Sequence, residues 1–245
     1  MELEDYAEFD PSIPKYKPFL TKKIAFLIII MFIIEILSNA LQDNKVIITL
    51  GAKSNPEITN GEYWRFFTCV FLHGNIFHLI LNLGGLYIFG KEVESIYGTF
   101  RFFLIFIFSA WGAGLTSYLF SDGLAIGASG AIFGILGSLI VFFYKQKEKI
   151  TGATIKFKSM YTVAIINIVV GFLLPHIDNS AHMGGLIAGL ISSWFLSPEY
   201  KIEKDDSLNK VYIIRKKDIQ KTLIGIVLTL LILYSLTYFA VKFNL

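Results

Sequence analysis

A chain of 245 residues that is 54% apolar, with a mean hydropathy of +0.60 and its charges gathered between long uncharged runs, reads as a polytopic membrane protein. A formal net charge of +3, scattered along the chain, is too small to suggest a nucleic-acid partner. The single cysteine, Cys69, excludes an internal disulfide and a thiolate metal cage, and reads as a small buried apolar residue.

Residues 1–22 are polar, carry Pro11, Pro14 and Pro18, and lack apolar periodicity, which predicts a short, mostly disordered cytosolic tail. No cleavable signal peptide is expected, because the first apolar run starts only at Ile24. Seven apolar segments follow: Ile24–Leu41, Ile76–Gly90, Phe102–Phe120, Ala128–Tyr144, Tyr161–Leu174, Ala181–Leu196 and Thr222–Val241. The first, third and seventh approach the ~20 residues needed to cross a hydrocarbon core, whereas the others are nearer ~15. Short spans cannot face lipid over a whole crossing, so they are expected to be enclosed by their longer neighbours.

Lysine and arginine set the orientation. With a cytosolic N-terminus and an external C-terminus, only Lys45, Lys53, Arg65 and Lys242 fall outside, so eighteen of the 22 basic residues obey the positive-inside rule. The stretch 42–75 is then an external loop. Its Tyr63-Trp64-Arg65-Phe66-Phe67 run suggests a segment lying at the interface, with an arginine that an ordinary aromatic belt does not explain. Glycines at three- or four-residue spacing, among them Gly84 and Gly85, Gly130, Gly134 and Gly137, and Gly185 and Gly189, are expected to let helices approach closely.

The fourth and sixth spans both run inward, which puts Ser129 and His182 near their outer ends. Each lies fifteen residues before the inner border, at Tyr144 and Ser197 respectively, or roughly 22 Å above it and on the order of 8 Å below the outer surface. Polar groups at that depth are costly unless paired, and a neutral imidazole can take the proton of a serine hydroxyl as it attacks a carbonyl. No acid is placed to complete a triad: Asp122 and Asp178 fall in short external loops, and Asp178 is a poor third candidate. His78 and Asn82, four apart on one helical face, can hold an oxyanion together with the Ser129 amide. His73 and His176 read as loop hydrogen-bonding groups, and His73 as one that helps order the substrate entrance.

Four motifs in order, Trp64-Arg65, His78-x-x-x-Asn82, Gly127-x-Ser129-Gly130 and Ala181-His182-x-x-Gly185-x-x-x-Gly189, resemble the rhomboid intramembrane serine proteases. The resemblance runs from about Tyr63 to Leu196. It implies Ser129 as nucleophile, His182 as general base, and His78, Asn82 and the Ser129 amide as oxyanion hole. Phe133 matches an aromatic position that stacks on the imidazole, usually Tyr. Glu94 looks like a structural glutamate, and Trp64 and Arg65 like the interfacial first loop. Substrates with a locally unstable transmembrane helix and a small residue at the cut, reached between the second and fifth spans, are also implied.

Other bilayer chemistries fit less well. A metalloprotease needs a His-Glu-x-x-His set, and His73 and His78, five apart, are not expected to share a helical face. An aspartyl protease needs two intramembrane acids, and Glu35 is the one acid expected inside a span. A transporter would show repeats, and none is visible. The expectation is an all-α, polytopic membrane helix bundle, rhomboid-like, with seven transmembrane helices. Its parts are the tail, a six-helix core over 23–197, a cytosolic linker over 198–221 that acts as an inside-retention signal, and one additional helix over 222–245. Its function is that of a Ser-His endopeptidase acting on transmembrane proteins in the plasma membrane of a bacterium, without metal or cofactor. The alternative is a catalytically silent rhomboid-like protein that binds transmembrane clients.

Overall fold

The computed structural model describes residues 8–9, 15–174, 177–205, 210–216 and 218–243; most of the tail, and His176, lie outside them. After a short strand β1 (Glu8–Phe9), the first helix α1 (Leu20–Leu37) starts without a side-chain cap of its own. Its first amides are satisfied from far along the chain. The Glu94 carboxylate accepts from the amides of Phe19 (3.0 Å), Leu20 (2.8 Å) and Thr21 (2.8 Å), and from the hydroxyls of Thr21 (2.7 Å) and Thr99 (3.0 Å). Glu94 is thereby a cap for one helix while lying on another. The helix stops short of Leu41 because Asn39 takes a left-handed conformation, φ 63°.

The stretch 42–75, expected as an external loop, is folded into α2 (Asn44–Thr49), α3 (Asn55–Thr59), α4 (Arg65–Thr68) and a 3-10 turn over Cys69–Phe71. Buried Arg65 organises it: the guanidinium pairs with Glu62 at 2.6 Å and donates to the carbonyls of Ile48 and Ala52. Trp64 stays half-exposed, 4.5 Å from that guanidinium.

Next come α5 (Ile76–Gly85), a wide turn of π geometry (Leu86–Gly90) and α6 (Lys91–Tyr97), which together make one continuous 22-residue helix, ended by Gly98. The apolar run ends at Gly90, but the helix continues through Lys91, Glu92 and Glu94. Glu35 is therefore not the one acid inside a span. The remaining helices are α7 (Thr99–Phe120), α8 (Ser129–Lys145), α9 (Ala153–Leu173) and α10 (Asn179–Leu196), then strands β2 (Glu199–Asp205) and β3 (Lys210–Lys216), and α11 (Ile219–Lys242).

Four helices, Ile76–Tyr97, α7, α9 and α11, are long and apolar enough to cross a membrane. With α1, α8 and α10, of 18, 17 and 18 residues, they occupy the seven predicted positions. The chain is an integral membrane helix bundle. Of the spans expected to be short and enclosed, α8 is buried almost throughout. The second and fifth spans instead run longer than their apolar segments and face outward, with lysines at their ends keeping charge at the rim.

Helix α8 is held between α7 and α10 by small residues. A methyl group on Gly185 would overlap the Gly130 carbonyl, one on Gly189 the Gly134 carbonyl, and one on Gly134 the Ser109 hydroxyl. Helix α11 lies outside this sandwich, with Gly225 against Phe195, and Thr237 accepting from the Trp111 indole at 2.9 Å.

The stretch between α10 and α11, expected as a polar link, carries a β-hairpin. Strands β2 and β3 pair antiparallel from Glu199 opposite Lys216 to Asp205 opposite Lys210, and β1 adds in parallel to β3. Tyr200 packs edge-on against Phe142 of α8, ring centroids 6.1 Å apart. The alternation of Tyr200 and Ile202 with charged neighbours, and the β-branched run through Val211, Ile213 and Ile214, give this stretch strand character.

Candidate active site

Ser129 is the first residue of α8, delivered by a turn in which Gly127 has φ 115° and donates its amide to the Cys69 carbonyl at 2.9 Å. Only glycine takes that conformation at little cost, and it also lets His78 approach: a Cβ at Gly127 would lie 2.5 Å from His78 Nε2. Across the α8–α10 contact, His182 Nε2 sits 2.8 Å from Ser129 Oγ. The two glycine-carbonyl contacts one and two turns below set this separation, because any side chain there would push the helices apart. The equal count from the inner border corresponds to side chains that meet.

Phe133, one turn along α8, stacks on the His182 imidazole with centroids 4.4 Å apart and an interplanar angle of 19°. His182 Nδ1 has no hydrogen-bond partner among the described residues. Asp178 makes no hydrogen bond to it: one carboxylate oxygen accepts from the Ala181 amide at 3.0 Å and from the Ser180 hydroxyl, capping α10.

Asn82 is buried, its side-chain amide donating to the His78 carbonyl at 2.9 Å, while its Oδ1 has no partner among the described residues. That amide nitrogen faces Gly127, 3.8 Å from where a Cβ would stand. The His73 and His78 rings, not expected to share a face, lie 5.0 Å apart because His73 precedes the helix and folds back beside it. His73 is fully buried, and its amide donates to both carboxylate oxygens of Glu35 at 3.0 Å.

Ser129, His182, His78, Asn82, Gly127 and Phe133 all line one cavity of about 740 Å³. Its far wall is α9, through Val163, Asn167 and Val170. Gly130 is on the wall as well, whereas Gly185 and Gly189 lie behind it at the helix contact. Trp64, Arg65 and Glu94 are not on the wall; they order the loop and the start of α1.

Three of the loop groups displaced from their ordinary titration bear on the site. Burial, and secondarily the neighbouring His78, push His73 down to about 4, against a smaller pull from the backbone at Phe71. Burial lowers Lys53 to about 8, opposed by the charges of Asp178 and other nearby groups. Burial raises Asp178, but hydrogen bonds from Ser117, Ser180 and the Ala181 amide, with the Lys53 charge, overcome it and hold the carboxyl below its usual range.

Residues 60–199 match the family model described as the Rhomboid domain, which is more than half of the chain. The chain belongs to the rhomboid family. Among its relatives are the rhomboid protease GluP of Bacillus subtilis, 37% identical over 177 residues covering 72% of this chain, and RHOMBOID-like protein 1 of Arabidopsis thaliana, 38% identical over 148 residues covering 57%. Rhomboid-like protease 3 of Toxoplasma gondii is 34% identical over 173 residues, 66% of this chain. These stretches amount to 34%, 36% and 63% of the three relatives, so the chain spans between about a third and two thirds of their length.

Behind the wall of this rhomboid site, buried Lys53 and Glu35 support it without a role expected from the motifs. The signal for each is present in the sequence, as a lysine on the wrong side of the charge count and an acid inside an apolar span.

Proposed function

We propose that this rhomboid is an intramembrane serine endopeptidase that hydrolyses a peptide bond in or near the transmembrane segment of a membrane-protein substrate. The observation that carries the proposal is the 2.8 Å approach of Ser129 Oγ and His182 Nε2 on the wall of the cavity. In this reading, His182 Nε2 takes the hydroxyl proton as Ser129 Oγ bonds to the substrate carbonyl carbon. The resulting oxyanion is met by the Ser129 amide, the Asn82 side-chain amide and His78. The tetrahedral species collapses, the C–N bond breaks, and His182 returns its proton to the leaving amine. Water then attacks the acyl-serine with His182 again as base, releasing the carboxylate product and restoring the hydroxyl. Burial supplies the low dielectric in which those donors act strongly, and the cavity supplies the space for water that lipid would exclude.

The test is covalent labelling by a fluorophosphonate in detergent-solubilised protein. Wild type is expected to label and Ser129→Ala not to; labelling that persists in Ser129→Ala, or is absent from wild type, sinks the assignment. Mass spectrometry of products from a purified single-span substrate then gives the bond cut.

Substrate access is assigned to the gap between α5 and α9, the two outward-facing helices that flank the cavity. A covalent cross-link joining them is expected to abolish cleavage of a membrane-embedded substrate while leaving fluorophosphonate labelling intact. Unchanged cleavage places the route elsewhere.

A further inference from the structure

Lys53 is fully buried, and its ammonium donates to three carbonyls at the end of α7 and just beyond: Ser117 (3.0 Å), Ser121 (2.7 Å) and Gly123 (3.2 Å). A cation there satisfies acceptors that the helix leaves open and opposes the negative end of its dipole. The Lys53 backbone also pairs in both directions with Ala125, at 3.0 and 3.1 Å, within the loop that delivers Ser129. On the other side, the Ser117 hydroxyl donates to Asp178 Oδ2 at 2.5 Å, and the neighbouring Thr116 hydroxyl donates to the Ser180 carbonyl at 2.8 Å. Asp178 caps the helix that carries His182 one turn later, and its own carbonyl accepts from the His182 amide at 3.2 Å. Ser117 is thus a shared bridge: its carbonyl accepts a hydrogen bond from the lysine and its hydroxyl donates one to the aspartate.

We propose that Lys53 and Asp178 are positioning residues of the active site, forming through Ser117 a buried strut that fixes the Ser129 loop and the first turn of α10 relative to each other. Neither touches the reacting atoms. The inference rests on the reading of Ser129 and His182 as a catalytic pair. Misplacing a reacting group by about 1 Å costs on the order of a hundredfold in rate, so a strut at this place governs reactivity more than binding. The chemistry it needs is an acceptor at position 178 and a cation at position 53. Asn supplies the acceptor without the charge, which makes Asp178→Asn the rescuing variant.

Two measurements on the full chain separate the strut from the catalytic reading. The first is hydrogen exchange of the amides around Ala181 and His182, followed by mass spectrometry, which does not depend on activity. Asp178→Ala and Lys53→Met are expected to exchange faster there, with Asp178→Asn close to wild type; no change in the first two overturns the strut. The second is the fluorophosphonate rate, normalised to folded protein and measured well below the melting temperature of each variant. Asp178→Ala is expected to fall about tenfold or more in the limiting rate with little change in the half-saturating concentration, and Asp178→Asn to stay within about threefold of wild type. Faster exchange with an unchanged labelling rate overturns the positioning role. A wild type that does not label while the variants still exchange faster overturns the catalytic reading and leaves the strut as architecture.

Discussion

His73 shows how a residue can be decisive without touching a substrate. Its ring is buried neutral beside His78, with the Glu35 carboxylate on its amide, and it declines a proton until about pH 4, whereas an ordinary histidine takes one near 6.5. Between those values an unfolded His73 binds a proton that the native one refuses, so its contribution to stability is complete above about pH 6.5 and is lost as the pH drops towards 4, by roughly 3 kcal/mol in all. Measured against His73→Phe in detergent, wild type is expected to lose melting temperature as the pH falls through this window; an identical pH profile in the two would remove His73 as a cause. Sequence alone exposed Ser129 and His182 because each is a polar group in an apolar segment, at matching counts from a border. It could not expose the His73–His78 contact. That contact depends on where α5 begins, at the Asn75 cap, and on the chain before it doubling back.

At the scale of elements, the separation of Ser129 and His182 is set by backbones touching through glycine. Gly185→Val forces a side chain into the Gly130 carbonyl and is expected to cost about 1–3 kcal/mol and to abolish fluorophosphonate labelling. Gly84 appears equivalent in the sequence, yet nothing lies within 4 Å of where its Cβ would stand. Gly84→Ala is expected to be neutral or to stabilise by up to ~1 kcal/mol through helix propensity. Thermal melts of the two variants check this, and a similar loss in both would mean that the α8–α10 contact is not special. Glycine spacing therefore points to the close contacts of α8 and α10 but does not tell them from an open position such as Gly84. Helix lengths differ from the apolar segments for a related reason. Hydropathy stops at Lys91 and before Tyr161, but backbone hydrogen bonding continues through charged residues when their heads reach the rim or, as with Glu94, find donors inside.

For the molecule as a whole, six of the helices build the cavity and its supports while α11 rests on their outside. Gly225→Leu, which would collide with Phe195, is expected to loosen α11 and speed proteolysis in the preceding hairpin, with fluorophosphonate labelling retained. Loss of labelling on that change would mean that α11 supports the site. The order and number of the spans were legible because each is local in sequence. The three-stranded sheet was not, since it joins residues 8–9 to 210–216 and no window along the chain contains both.

Glu94 closes the first turn of α1 from 73 residues further on. The first helix therefore has its opening amides satisfied only where the second span lies against it. A change at position 94 is thus felt first at the start of a different span.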